Sequence, residues 1–338
     1  MTRRTILAAA ASWPAARLFA AGAPEAEITN GQVRARLYLP DARRGFYRGT
    51  RFDWSGVIHS LEFSGHNFYG PWFDRVDPSV RDFVYDGDKI VASACTAITG
   101  PAEEFQPNLG WQEAKPGGTF LKIGVGVLRK EGDRYDAFKL YEIVDPGRWT
   151  VRRERDSIQF THTAADASSA CGYVYRKTVR LTKGKPEMVL EHSLRNTGGR
   201  TIQNNVYNHN FLVLDRRPTG PEFSIQVPFQ IKSANPPEKA LAEIRGNRIV
   251  FLKTLEPKER VMMGLEGFSA DARDYDFRTE CAGTGAGVRI TADRPLARAM
   301  LWAIRPVQSV EPFIAVTVEP GREFTWRIAY EYFAAPPR

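Results

Sequence analysis

The sequence predicts an all-β protein, a large antiparallel β-sandwich with few helices, and three observations carry that expectation. Segments of four to eight residues that alternate apolar with polar recur along the chain, the signature of strands with one buried face. Helical periodicity is scarce, so nothing is available to serve as the crossovers of a parallel sheet. The 28 Gly and 22 Pro fall between these segments as turn signals, which suits a sandwich of many short strands.

In chain order, residues 26–30, 32–39 and 56–63 read as the first strands. Residues 100–105 and 109–118 read as one long loop, a lid or rim, leading into a strand over 119–128. Gly124 and Gly126 lie on one side of that strand and leave room for a backbone or ligand to approach closely. They are not a dinucleotide fingerprint, because no helix follows and the third glycine is missing. Residues 157–162 form a further strand, and 173–181 with 188–195 form a hairpin across the polar turn Lys183-Gly-Lys-Pro186. A strand ending at Arg195, an Asn-Thr-Gly-Gly turn and an outgoing strand through Phe211 come next. Residues 299–306 and 318–333 supply the last strands, the second entered through a Pro-Gly turn.

The first residues have another purpose. Thr2-Arg3-Arg4 is a twin-arginine pattern, followed by an apolar, alanine-rich run too short to span a membrane and then by small residues. Residues 1–23 are therefore expected to be an export signal, and 24–338 one domain without internal repeats or linkers. The mature chain is then soluble, periplasmic or secreted, with no stable membrane anchor. The net charge is +8, and setting aside Arg3, Arg4 and Arg17 of the signal leaves +5, interspersed with acids as in residues 148–156. A solvated face fits this better than a nucleic-acid stripe, so no nucleic-acid partner is expected. Cys95, Cys171 and Cys281 are few, widely spaced and not at metal-ligand spacing, so three buried thiols and no metal site are expected.

The most informative stretch is Tyr207-Asn208-His209-Asn210-Phe211. Period-two alternation puts Tyr207 beside His209 and sends Asn208 and Asn210 to the other face, a polar cluster where a purely structural strand would carry Val or Ile. Alone, His209 could equally be a core imidazole satisfied by its neighbours. Near the chain end, Glu311 precedes Pro312 and so sits on extended backbone. Val310 and Phe313 beside it suggest partial burial, which would raise its pKa and make it a better base; a surface ion pair is the alternative. Arg51 could donate paired hydrogen bonds to vicinal hydroxyls, or pair with Asp53 or Glu62, and Trp54 could stack on a sugar face. His66, in a glycine-flanked loop, is the second-rank histidine. Glu104 and Lys122 are binding candidates, each of which could instead be part of a structural ion pair.

The order strand, Asn-Thr-Gly-Gly turn, strand with Asn208-His209 near Phe211 resembles the aldose 1-epimerase (galactose mutarotase-like) superfamily. The strand 299–306, the Val310-Glu311-Pro312 segment and the final alternating strand resemble the family's C-terminal half. The resemblance implies a mutarotase-type supersandwich and an acid/base isomerisation at a sugar anomeric centre, without cofactor or metal. In it His209 protonates the ring oxygen and Glu311 removes the anomeric proton. Arg51, His66, Glu104, Trp111, Lys122, Tyr207, Asn208 and Asn210 would hold a mono- or oligosaccharide. The chain lacks the family's Gly-Arg-x-Ala-Asn-Arg stretch, its His-Gly-Gly or His-Gly-Phe, and a counterpart of its substrate-binding aspartate. Two alternatives follow: a carbohydrate-binding protein without turnover, and an eliminase on acidic glycans using Tyr207 or His209 as base.

Overall fold

A computed structural model describes residues 22–335, so the expected export signal lies outside the described residues except for its last two positions. Two large sheets dominate. The first has ten strands in the order Arg148–Arg153, Ser157–Asp166, Cys171–Leu181, Glu187–Asn196, Glu323–Phe333, Ala286–Ala292, Asp276–Cys281, Phe223–Gln226, Arg248–Phe251 and Ala242–Arg245. The second has five: Arg260–Leu265, Arg298–Ile304, Val307–Val318, Ile202–Phe211 and Gly100–Gln106. Every pairing in both is antiparallel. Among the described residues helical structure is limited to the 3-10 turns Leu214–Arg216 and Ala272–Asp274. No helix there is long and apolar enough to cross a membrane. Cys95, Cys171 and Cys281 are buried and unbridged.

The central strands of the ten-stranded sheet alternate buried with more exposed residues, whereas the middle of the five-stranded sheet is buried on both faces, and one apolar face of each meets the other. Leu190, Leu194, Ile328 and Tyr330 from the ten-stranded sheet share one core with Val206, Leu301, Val310 and Ile314 from the five-stranded sheet. The chain passes between sheets at glycine- and asparagine-bearing turns. Asn196 ends its strand by donating from Nδ2 to Arg200 O and Val318 O, at 2.7 and 2.8 Å, while Oδ1 accepts the Gly198 amide at 2.9 Å. One side chain thus satisfies backbone groups of the turn that leads into Ile202–Phe211 and of the end of Val307–Val318.

The second face of the five-stranded sheet is covered by the N-terminal third. Phe52, Trp72 and Phe120 pack with Tyr207, Phe211, Ile304, Val307 and Phe313 in a separate aromatic-rich core.

Two expectations need correction here. Residues 100–106 are not a loop: they form the edge strand of the five-stranded sheet, in register from Asn205↔Gln106 to Phe211↔Gly100. Pro101 is tolerated because an edge strand needs its amides on one side only. Residues 119–128 are not one strand but two, Thr119–Lys122 and Gly126–Arg129, folded back on each other. The break is Gly124, at φ +78°, where an added Cβ would stand 2.6 Å from Asp53 Oδ1. The close approach that glycine allows there is made by Asp53 of the same chain.

Candidate functional site

Strands Ile202–Phe211 and Val307–Val318 pair with Tyr207 opposite Phe313, and the bridge Leu212↔Gln308 keeps the same register beyond. His209 and Glu311 are therefore cross-strand neighbours on one face, His209 Nε2 lying 3.2 Å from Glu311 Oε1. Pro312 has no amide to donate to the ladder, and on the facing strand the Asn210 amide donates to Ser309 Oγ at 2.8 Å. The pairing of Val307–Val318 with Arg298–Ile304 adds Met300 opposite Glu311 and Trp302 opposite Ser309 on the same face.

Aromatic rings hold the imidazole. Phe211 stacks on it at 3.7 Å, while Trp302 and Phe52 meet it edge-on at 5.2 and 5.9 Å. The opening is narrow: the side chains of His209 and Glu311 are 7% and 11% exposed. Trp302 and Met300 beside them are half-buried.

Beside the pair lies a charged cluster. Arg51 donates from Nε to Glu104 Oε2 at 2.8 Å and from Nη2 to the Tyr207 hydroxyl at 3.0 Å. Tyr207 in turn donates to Glu104 Oε2 at 2.5 Å, and Gln106 donates to Oε1 at 2.7 Å. Lys122 donates to Phe105 O at 2.8 Å and stands 3.7 Å from Glu104 Oε1. Burial opposes the Glu104 charge, but Arg51 and Lys122 outweigh it and hold the carboxyl below its ordinary range. Burial similarly brings Lys122 down to about 8 despite Glu104. The Arg51 guanidinium lies between the rings of Phe52 and Phe138, at 4.5 and 4.8 Å.

The proton inventory of His209 and Glu311 is set by desolvation. Burial, with the Arg51 charge adding to it, holds the His209 imidazole well below its ordinary 6.5, so it is neutral at pH 7. Burial pushes Glu311 from 4.5 up to about 7, the nearby Arg51 offsetting only part of the effect. Nδ1 of His209 is buried without a partner. A buried orphan lone pair costs less than a buried orphan N–H, so the neutral ring's proton is assigned to Nε2, facing Glu311.

The structure brings together Arg51, Glu104, Tyr207, His209 and Glu311, with Lys122 behind Glu104. It places the other candidates elsewhere. Asn208 and Asn210 face the inter-sheet core, where Asn208 donates to Glu103 at 3.0 Å and Asn210 is held by Val310 O and the Tyr330 hydroxyl. Their role is to satisfy buried polar groups, as their alternation with His209 requires. Trp111 is buried against Phe120, Tyr135 and Tyr141. His66 lies on the two-residue strand His66–Asn67 and pairs through Nδ1 with Asp215 at 2.7 Å. Trp54 is also core, its indole donating to Gly49 O at 2.8 Å.

Sequence reasoning passed over Trp302, Met300 and Phe52 as walls of the site. Their signal was available only through register, since Trp302 and Met300 share the His209 face once the strand Arg298–Ile304 is paired. It also missed a second polar cluster behind the sheet, where Lys177 and His192 both engage Glu103 and Asp53 is nearby. Adjacent Glu103 and Glu104 thus serve opposite faces of one strand. Among the described residues no group of three His, Cys, Asp or Glu side chains is placed to hold a metal ion.

Solved structures similar to this chain include a putative aldose 1-epimerase from Escherichia coli K12, at 14% identity over 93% of this chain and 100% of that one, TM-score 0.52. A GalM/aldose epimerase homologue from C. elegans matches at 13% identity over 93% and 100%, TM-score 0.53. A galactose mutarotase related enzyme from Lactobacillus acidophilus matches at 12% over 91% and 97%, TM-score 0.52. Identities this low fix the fold and nothing finer: the chain has the galactose mutarotase-like β-sandwich. No family model and no curated protein matches it.

Proposed function

We propose that the protein is a sugar-active isomerase that interconverts the anomers of an aldose, with His209 and Glu311 as the reacting groups. The observation that supports this most is the 3.2 Å contact between a neutral imidazole and a carboxyl group at the edge of an aromatic wall. In a cyclic hemiacetal the anomeric hydroxyl and the ring oxygen are bonded to the same carbon, so an acid and a base standing side by side can reach both.

The Glu311 carboxylate takes the proton of the anomeric hydroxyl as Nε2–H of His209 hydrogen-bonds the ring oxygen. The bond between the anomeric carbon and the ring oxygen breaks, its electron pair going to the oxygen, and the aldehyde forms. Glu311 then delivers its proton to the ring oxygen, giving the open chain. Half a turn about the adjacent carbon–carbon bond and the reverse sequence close the ring on the other face. A pKa near 7 suits a base at neutral pH, and a neutral imidazole can polarise an oxygen without first being protonated. His209 is thus a neutral donor rather than an imidazolium acid. Trp302 offers its half-buried face to the ring, and the ordered Arg51, Glu104 and Tyr207 cluster buttresses the site.

Polarimetry with a panel of aldoses tests this. Anomer exchange accelerated by the wild type, and lost in His209→Ala and Glu311→Gln while equilibrium dialysis still detects sugar, supports the reading. Exchange by both variants at the wild-type rate overturns it. A second reading, sugar binding without turnover, is favoured by the burial of both side chains, and sugar affinity with no exchange by the wild type would establish it. Elimination on acidic glycans is disfavoured: burial pushes the Tyr207 phenol well above its ordinary value, Arg51 offsetting only part of this, and Arg51 is already committed to Glu104. Export through Thr2-Arg3-Arg4 remains part of the proposal. A cytoplasmic full-length protein in cell fractionation would remove it.

A further inference from the structure

A cleft of about 440 Å³ opens at one end of the five-stranded sheet, on the face that carries His209 and Glu311. Its size is that of a ligand pocket. The floor and walls are apolar or aromatic, from Phe83, Tyr85, Leu241 and Ile304, and the rim carries Glu238, Lys258 and Arg260. Ile304 pairs with Arg260 and shares a strand face with Trp302 and Met300. Phe83 joins the two regions, lining the cleft and meeting the Trp302 ring edge-on at 6.1 Å.

The rim is unusual in its pairing. Glu259 is engaged by Lys253 at 2.9 Å, whereas the side chains of Glu238, Lys258 and Arg260 have no hydrogen-bonding or ion-pairing side-chain partner among the described residues. Asp82 is close enough to Arg260 to feel its charge. Lys258 sits at φ +74°, a left-handed backbone conformation that non-glycine residues disfavour. Glu259 being neutralised by Lys253, the cations Lys258 and Arg260 are offset by Glu238 and by Asp82 beside Arg260, so the cleft carries little net charge and offers both donors and acceptors above aromatic rings. That is the chemistry for hydroxyl groups on a ring with an apolar face.

We infer that this cleft is a distal subsite, and that the preferred substrate is the reducing end of a neutral oligosaccharide of at least three residues rather than a free monosaccharide. The inference rests on the anomeric chemistry proposed above for His209 and Glu311. Spacing carries it. Met300 lies opposite Glu311, and Ile304 is four residues further along the same strand, a span of about 13 Å at the usual rise per residue. One pyranose ring cannot touch both ends of that span, whereas a short linked chain can, crossing Trp302 and Phe83 on the way. Donors and acceptors at the far end then read hydroxyls of the third ring.

The test is binding of the full chain to a series of gluco-, galacto-, manno- and xylo-oligosaccharides of one to five residues, followed by titration of the best series. Affinity is expected to rise about tenfold or more between one and three residues, and Arg260→Ala with Glu238→Gln is expected to remove that rise. Both side chains are exposed, so the double variant keeps its fold. Affinity independent of chain length, a rise unchanged in the double variant, or binding to none of the series overturns the inference. The two proposals fail separately. A length-dependent affinity with no anomer exchange leaves the cleft standing and removes the activity, and exchange without length dependence does the reverse.

Discussion

Replacing Glu311 with Gln removes one titration from the folded state, and the consequence for stability can be worked through. In the unfolded chain the carboxyl ionises at its ordinary 4.5, and in the folded protein burial holds it protonated up to about 7. The folded state therefore binds this proton more tightly. Its contribution to stability is complete below pH 4.5 and is lost as pH rises through the folded pKa. The rise from 4.5 to about 7 corresponds to about 3 kcal/mol, most of it lost between pH 4.5 and 7. Gln keeps the shape and a hydrogen-bonding oxygen but does not ionise. Urea unfolding of both proteins at intervals from pH 4 to pH 8 isolates the effect, because the other titrations cancel in the difference. The stability of Glu311→Gln relative to wild type should improve by about 3 kcal/mol from pH 4 to pH 8, most steeply near pH 6. A difference that stays flat across this range would refute the claim that Glu311 is desolvated.

Two further expectations follow from the same electrostatics. If the anomer exchange proceeds as proposed, its rate rises with pH through about 7 as Glu311 ionises and then levels, with no acid-side optimum from a cationic His209; stopped-flow polarimetry from pH 5 to 9 reads this directly. Behind the sheet, Lys177→Met leaves the Glu103 carboxylate buried beside only His192 and Asn208, which should cost about 3–5 kcal/mol in denaturant unfolding, and adding Glu103→Gln should recover much of the loss.

Much of the architecture could be read from alternation alone. The hairpin over 173–195 and the terminal strand stand where period two puts them, because one face of each is buried in the inter-sheet core. Residues 100–106 were not legible as a strand, since Gly100, Pro101 and paired glutamates carry loop chemistry in sequence. Only the pairing with Ile202–Phe211 shows that Glu103 and Glu104 are each satisfied on their own side of a sheet. The same limit applies to the site. Alternation separates Asn208 and Asn210 from His209, but what fills the other face is set by strands far away in sequence, as with Tyr330 and Asn210, 120 residues apart. His209 and Glu311 could be singled out one at a time; their contact depends on a register between distant segments that no local pattern encodes.

Where the proton of the His209 and Glu311 pair resides decides the proposed chemistry, and nuclear magnetic resonance of protein labelled at glutamate carboxyl carbon and histidine ring nitrogen measures it. The expected result is a Glu311 carboxyl that titrates near pH 7 while His209 stays neutral, protonated on Nε2, from pH 6 to 9. A Glu311 that titrates at its ordinary 4.5 beside a cationic His209 at pH 6 would contradict the account.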